Sequence, residues 1–388
     1  MFDRAIKWLQ NGLRSLLDRR EGQIPSLDGL RAIAITLVVS SHCKNDFIFA
    51  GGKPEPAALF WALGYTWTGV DLFFVLSGFL IGKILLQELK RTGTVQVMPF
   101  LLKRGFRIWP LYYFICLIAW ARLSLAHVAP PWPELIPDAL FLTNYFKENL
   151  AYGSWSLSIE EQFYLIASVL ILLFRKRIEQ SQRHIPLFLA ALLALAPFIR
   201  MAVWMHYRAL QVEPFYLEWE ILHNYIFTHY DGLAMGLIFA SILVFRDSVS
   251  WIRNTLKHWL WFLVLLTGVL TFFFRVVFIY SFATLIFGTA IWHCLNNPES
   301  SITRFLSWPG FQILSRLSYG MYLWYRFPLW RIAQFALQHF PQAAPVFQYF
   351  LIFLVDFGIA VILASITYVL IERPFLELRS KLYRTRQA

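Results

Sequence analysis

The stretch "RAIAITLVVSSH", residues 31–42, sets an arginine and a histidine at the two ends of an apolar run. Arg31 and His42 are eleven residues apart. In a helix that is almost three turns, so the two side chains share a face, separated by about 16 Å along the axis. A histidine, with an ordinary pKa of ~6.5, can move a proton near neutral pH. It can equally hydrogen-bond a neighbouring helix while the arginine snorkels to the surface. Arg104 and Arg107, in "RGFRIWPLYY", are three residues apart and would be neighbours on a helix. Their planar forks suit phosphate oxygens; with Lys103 they would also serve as a basic cluster marking one side of a membrane. Ser77 and Gly78 interrupt the bulky run "LFFVLSGFLI" and admit either a neighbouring helix or a thin ligand arm. Asp71, just ahead of them, is an acidic candidate partner for His42. "WSLSIEEQFY" holds Glu160 and Glu161 near an expected helix start. Either a capping arrangement with Ser156 or Ser158, or a carboxylate aimed at a ligand, fits there. Trp155 beside them suits a sugar face or the aromatic belt of a membrane. Asp231, Arg326 and Asp356 are further ionisable residues in or near apolar runs, and Glu372–Arg373 reads as an ion pair.

The elements that must position these residues are helices in a membrane. The chain has 388 residues, 58% hydrophobic, 18% aromatic and 15% charged, against about 25% charged in ordinary soluble domains. Its apolar residues fall in blocks of roughly 17–25, the length that crosses a bilayer as a helix. The spacing predicts an all-α polytopic protein of about ten transmembrane helices, near 30–49, 67–88, 108–127, 157–174, 185–205, 227–245, 257–273, 276–294, 317–338 and 347–371. The turn between the seventh and eighth is weakly marked, because "TFFFRVVF" offers little turn chemistry. Lys and Arg number 25 in one alternate set of connections and 5 in the other. Basic residues favour the cytoplasmic side, so both termini are expected inside. Residues 1–25 read as a basic amphipathic segment on the membrane surface, 26–376 as the transmembrane domain and 377–388 as a basic cytoplasmic tail. The net charge of +12 is then a matter of topology, and no nucleic-acid partner is called for. Cys43, Cys116 and Cys294 have no CxxC spacing, so neither a disulfide framework nor a metal site is indicated.

A run of phrases resembles, in order, the acyltransferase family 3 membrane proteins. "SLDGLRAIAITLVVSSH" is similar to the family's LDGLRA opening with its Arg-x10-His pair. "GVDLFFVLSGFLI", "RGFRIWPLYY", "WSLSIEEQFYL", "YDGLAMG", "LSYGMYLW" and "IERPF" follow in the family's order. The resemblance implies a bacterial inner-membrane enzyme. It would move an acyl group, usually acetyl from cytoplasmic acetyl-CoA, to a hydroxyl of an extracytoplasmic molecule. Acceptors in the family include surface polysaccharide, peptidoglycan sugars, lipid-linked glycans and antibiotics. It makes Arg31 and His42 the essential pair and picks out Glu160 as the motif carboxylate. On this reading Arg104 and Arg107 hold the CoA phosphates, with Arg31 near the same inner face, and Ser77 and Gly78 line the pantetheine arm. His42 acts as general base or carries the acyl group, and Glu160 assists from the outer side. The partners implied are membrane lipids and a glycan acceptor. No appended extracytoplasmic domain is expected after the tenth span, so transfer occurs at the membrane or through a separate extracytoplasmic transferase. One phrase departs from the family, which often has Trp-His-x-Pro where this chain reads "LWYRFP", residues 323–328. Arg326 stands there instead of histidine and is a candidate contact for an anionic acceptor. The competing readings are a transporter or flippase, or a non-catalytic membrane protein of the same fold. Against the transporter stands the lack of a visible inverted repeat or matched pair of broken spans.

Overall fold

The computed structural model describes residues 12, 14–18, 23–128, 130–146, 150–151, 153–327 and 329–384, and every regular element among them is helical. The longer helices are α1 (Pro25–Phe49), α2 (Gly69–Thr92), α3 (Val97–Leu125), α4 (Trp155–Leu173), α5 (Ile185–Ala209), α6 (Asp231–Val244), α7 (Ser250–Phe273), α8 (Arg275–Asn296), α9 (Pro309–Trp324), α10 (Leu329–His339), α11 (Pro345–Thr367) and α12 (Arg373–Arg384). Proline marks several starts. Pro25, Pro186, Pro309 and Pro345 sit in the first turn of α1, α5, α9 and α11, where a missing N–H is no loss and the fixed φ suits a helix. Most of the amphipathic segment expected at 1–25 lies outside the described residues, and the basic tail continues as α12 through Arg384.

Six helical stretches among the described residues are long and apolar enough to cross a membrane: Ala57–Thr92, Val97–Leu125, Trp155–Leu173, Gln182–Ala209, Arg275–Asn296 and Pro345–Tyr383. Asp231–Val244 and His258–Phe273 are shorter apolar helices. α1 has 25 residues, enough length to span, but Asp28, Arg31, His42, Lys44 and Asp46 dilute its apolar character. Two boundaries differ from those the sequence suggests, at α3 and in the expected span 317–338, while the junction of α7 and α8 falls within a residue of its expected place. α3 starts at Val97 rather than near 108, so Arg104 and Arg107 lie in its early turns and not in a connection. α7 and α8 are separated by Phe274 alone, whose N–H still bonds the Leu270 carbonyl at 2.7 Å. The expected span 317–338 is not one helix. α9 ends at Trp324, residues 325–327 form a turn, and α10 begins at Leu329. The residue ahead of a proline is pushed away from helical dihedrals, and Phe327 precedes Pro328.

The chain divides into two compact units. The first comprises Met1–Val70, Lys103–His127 and Pro298–Ala388. Its core is built round α1, which packs on α9 and α11 and buries Ala32, Ala34, Ile35, Val38 and Val39. Polar ties fix the register. Ser315 Oγ donates to Asp28 at 2.7 Å, the Ser40 and Tyr349 hydroxyls lie 2.6 Å apart, and Tyr319 donates to the Ile108 carbonyl at 2.6 Å.

The second unit comprises Asp71–Leu102 and Val128–Asn297. Here α2 and α6 cross at backbone contact. A Cβ added at Gly78 would land on the Leu233 carbonyl, and one at Gly236 on Val75 and Phe79 backbone atoms. Only glycine allows such an approach. α5, α6 and α8 meet on Arg200, which is fully buried. It donates to Val277 O (2.6 Å), Thr228 O (2.8 Å), Ser281 Oγ (2.6 Å) and both Asp231 oxygens (2.6 and 3.0 Å). All five guanidinium N–H groups are thereby used.

Two outcomes follow for thermal unfolding of the detergent-solubilised protein. Arg200→Met leaves Asp231 buried without its cation and is expected to destabilise by about 3–5 kcal/mol, with Arg200→Met/Asp231→Asn recovering part of that. Gly236→Ala is expected to lower the melting temperature sharply. Gly358→Ala, where nothing lies within 4 Å of the added carbon, should leave it unchanged or raise it, because alanine is the better helix former by up to ~1 kcal/mol. Equal effects at the two glycines would refute the close crossing.

Candidate active site

α1 is helical without interruption from Pro25 to Phe49, so Arg31 and His42 do ride one helix. What surrounds His42 comes from the broken ninth segment. The turn at 325–327 brings Tyr325 against the imidazole, with ring centroids 4.9 Å apart, and places Arg326 Nη1 3.5 Å from His42 Nδ1. The same guanidinium nitrogen lies 3.3 Å from Asp46 Oδ2, one helical turn further along α1. Arg326 is 23% exposed at its side chain and Asp46 10%. Beside them Cys43 Sγ lies 3.8 Å from Asp356 Oδ2 of α11. His42, Asp46, Arg326, Cys43 and Asp356 thus make one polar cluster inside the first unit. A guanidinium can only donate. In the contact with Arg326 the Nδ1 atom is therefore the acceptor, and the hydrogen of a neutral ring is on Nε2. Nδ1 is then the basic nitrogen, and it faces Arg326.

Arg104 and Arg107 lie in the early turns of α3, half-buried and three residues apart, so they occupy one face as the spacing predicts. Lys103 of the same cluster sits over the Tyr383 ring at 4.7 Å, and its carbonyl accepts from Arg379 at 3.4 Å. Cationic side chains of α3 and α12 therefore gather at that end of the first unit. The sequence reading of Glu372–Arg373 as an ion pair is corrected. Arg373 pairs with Glu377 at 2.8 Å, while the buried Glu372 feels the charge of Arg107. The two residues are adjacent on a helical backbone and point apart, whereas i and i+4 face each other.

Ser77, Gly78, Asp71 and Glu160 belong to the second unit. The missing Cβ of Gly78 is taken up by the α2–α6 crossing, the packing alternative of the sequence reading. Ser77 and Glu160 are joined through a residue the sequence reading passed over. Tyr164 donates to Glu160 Oε2 at 2.9 Å and lies 3.0 Å from Ser77 Oγ. Capping does not account for Glu160 or Glu161. α4 starts at Trp155, its N-cap Ser154 makes no capping bond, and Ser154 and Ser158 bond Thr143 instead.

Asp71 takes His229 as its partner, at 2.9 Å from Nε2, rather than the expected His42. Both are fully buried. His229 Nδ1 faces the His223 carbonyl at 2.7 Å. Each ring nitrogen thus meets an oxygen that accepts, and a neutral imidazole has one N–H to offer. Trp155 stacks on His229 (5.8 Å, 19°) and tilts against His223 (4.4 Å). Tyr280 meets His229 edge-on at 4.5 Å.

Sequence reasoning named Arg31, His42, Arg104, Arg107, Ser77, Gly78 and Glu160, and missed Asp46, Tyr164, Arg200, His223 and His229. Arg200 had a usable signal, being a lone arginine in the apolar block "LAPFIRMAVW", and an intramembrane charge implies a partner. Asp46 and His229 lie near the ends of apolar runs, where polar residues are ordinary, and carried no such signal.

The model of the acyltransferase domain family matches residues 24–368. The chain is 27% identical over 392 residues to O-acetyltransferase OatA of Staphylococcus aureus strain NCTC 8325, covering 90% of this chain and 57% of that protein. It is 23% identical over 385 residues to a second protein, of S. aureus strain COL, provisionally named an O-acetyltransferase, covering 91% of this chain and 57% of that one. The chain therefore spans little more than half the length of these relatives. No solved structure matches it. Six of the seven phrases read from the sequence begin within the matched residues, and the seventh starts three residues beyond them: the chain is a multi-pass membrane protein of the acyltransferase 3 family.

Proposed function

We propose that the protein is a membrane O-acetyltransferase of a bacterial cytoplasmic membrane, carrying acetyl from acetyl-CoA to a hydroxyl of an extracytoplasmic glycan. The family and the names of the relatives support an O-acetyltransferase. The 25 to 5 division of basic residues supports ten spans, the ninth broken, with both termini inside. The single observation that carries the reading is the placement of His42, on one unbroken helix with Arg31 and beside Asp46 and Arg326.

Arg104, Arg107 and Arg31 bind the phosphates of acetyl-CoA at the inner end of the first unit, as charge-assisted donors. The thioester then reaches His42. As a hydroxyl approaches it displaces the Arg326 N–H from Nδ1 of His42, Nδ1 accepts its proton, the oxygen attacks the thioester carbonyl, and the carbon–sulfur bond breaks. The proton passes to the departing thiolate, giving the acetyl ester and free CoA. Arg326 and Asp46 position the imidazole by holding the tautomer whose Nδ1 is free of hydrogen. Within the second unit, Glu160 fixes the Tyr164 hydroxyl.

With radiolabelled acetyl-CoA, membranes holding the wild-type protein are expected to release CoA and label envelope glycan. His42→Ala should lower transfer by roughly 10²–10⁴-fold, the range a general base contributes, with the folded yield unchanged. Undiminished transfer would remove His42 from the chemistry. Arg104→Gln/Arg107→Gln is expected to raise KM for acetyl-CoA about tenfold or more with a smaller effect on kcat. A fall in kcat at constant KM would argue against phosphate binding at that pair.

A further inference from the structure

The first unit carries a groove of about 860 Å³ whose walls are apolar and whose only charged lining residues, among those described, are two arginines. That volume is within the usual range of small-molecule sites. α3 contributes Arg122, the turn contributes Phe327, α10 contributes Arg331 and Phe335, and α11 contributes Leu351 and Val355. The Arg122 guanidinium lies over the Phe327 ring at 5.8 Å. Neither Arg122 nor Arg331 forms an ion pair among the described residues, and no carboxylate lines the groove.

Two arginines bordering an apolar trough complement one kind of molecule, an amphiphile with a hydrocarbon chain and an anionic head. Their position sharpens this. On the topology proposed above, Arg122 and Arg331 stand toward the outer ends of their spans, where the chain otherwise avoids basic residues. Topology therefore does not account for them, and an anion does. The groove also adjoins the candidate active site through consecutive residues. Phe327 lines it while Arg326 contacts His42, and Val355 lines it while Asp356 contacts Cys43. A molecule seated here touches residues next in sequence to those that contact His42 and Cys43. A bulk phospholipid in that place would obstruct an acceptor; an acceptor on a lipid chain would be delivered by it.

We propose that this groove binds the acyl acceptor as a lipid-linked phosphate, with a single hydrocarbon chain along Phe335, Leu351 and Val355 and the phosphate on Arg122 and Arg331. The inference rests on the transferase reading for its purpose, and on the groove alone for its binding.

The test is equilibrium binding of radiolabelled farnesyl phosphate to the full chain in phosphatidylcholine nanodiscs. Saturable binding is expected. Arg122→Gln/Arg331→Gln should weaken it about tenfold or more with the melting temperature unchanged. Val355→Trp, at a position 40% exposed, should weaken it by filling the trough without altering charge. Farnesol and inorganic phosphate, each holding half of the chemistry, should compete poorly. Unchanged binding in both variants, or equal binding of farnesol, would overturn the proposal. Displacement by phosphatidylglycerol at equal mole fraction would also overturn it, by showing a general anionic-lipid site. His42→Ala is expected to bind farnesyl phosphate as wild type does while losing acetyl transfer. Retained transfer in that variant together with lost binding in Arg122→Gln/Arg331→Gln would leave the groove standing and bring down the role of His42.

Discussion

A polar or charged side chain surrounded by hydrocarbon is costly unless the protein itself supplies its partner. Each unit of this chain is arranged around that constraint. In the second unit Arg200 spends every N–H on an acceptor, and Asp231 at the head of α6 is matched to it by two bonds and by Ser281. Removing one partner would strand the others, so α5, α6 and α8 are held by a network that cannot be dismantled piecemeal. In the first unit the polar cluster is looser. Arg326 stands 3.3 Å or more from both Asp46 and His42 and keeps some exposure. A tightly satisfied network rigidifies a fold.

The breaks in the helices are where these groups enter. Irregular backbone in a membrane protein is tolerated where it is buried in protein or lines a cavity. His229 is supplied by the non-helical run ahead of α6, and Arg326 by the turn between α9 and α10. A straight helix presents side chains at fixed angular steps. A turn can aim a guanidinium sideways at a histidine on another helix, and the same turn then presents Phe327 to the neighbouring groove. One break thereby serves both the imidazole and the lipid-shaped trough.

Much of the architecture was legible in the residues. Apolar blocks of spanning length and the eleven-residue interval from Arg31 to His42 depend on local composition and periodicity, which a helix preserves. α1 accordingly carries both residues as read, and Arg104 and Arg107 share a face of α3. The errors have a common physical origin. The expected span 317–338 was read as continuous, although Phe327–Pro328 contains the signal for its interruption. At Gly78 both a neighbouring helix and a ligand arm were open, and α6 takes the space, because glycine answers equally to a backbone neighbour and to a ligand.

By itself, then, the sequence determined the class of the protein, its family and the residues carried on a single helix, since hydropathy, charge placement and helical pitch are properties of short stretches of chain. Partnership was decided by tertiary structure alone. Asp71 lies with His229 rather than His42, Ser77 meets Glu160 through Tyr164, and Arg326 meets Asp46 and His42. Each of these pairings joins residues of different segments or depends on a side chain between them, and their geometry follows from how helices pack, which no local spacing encodes.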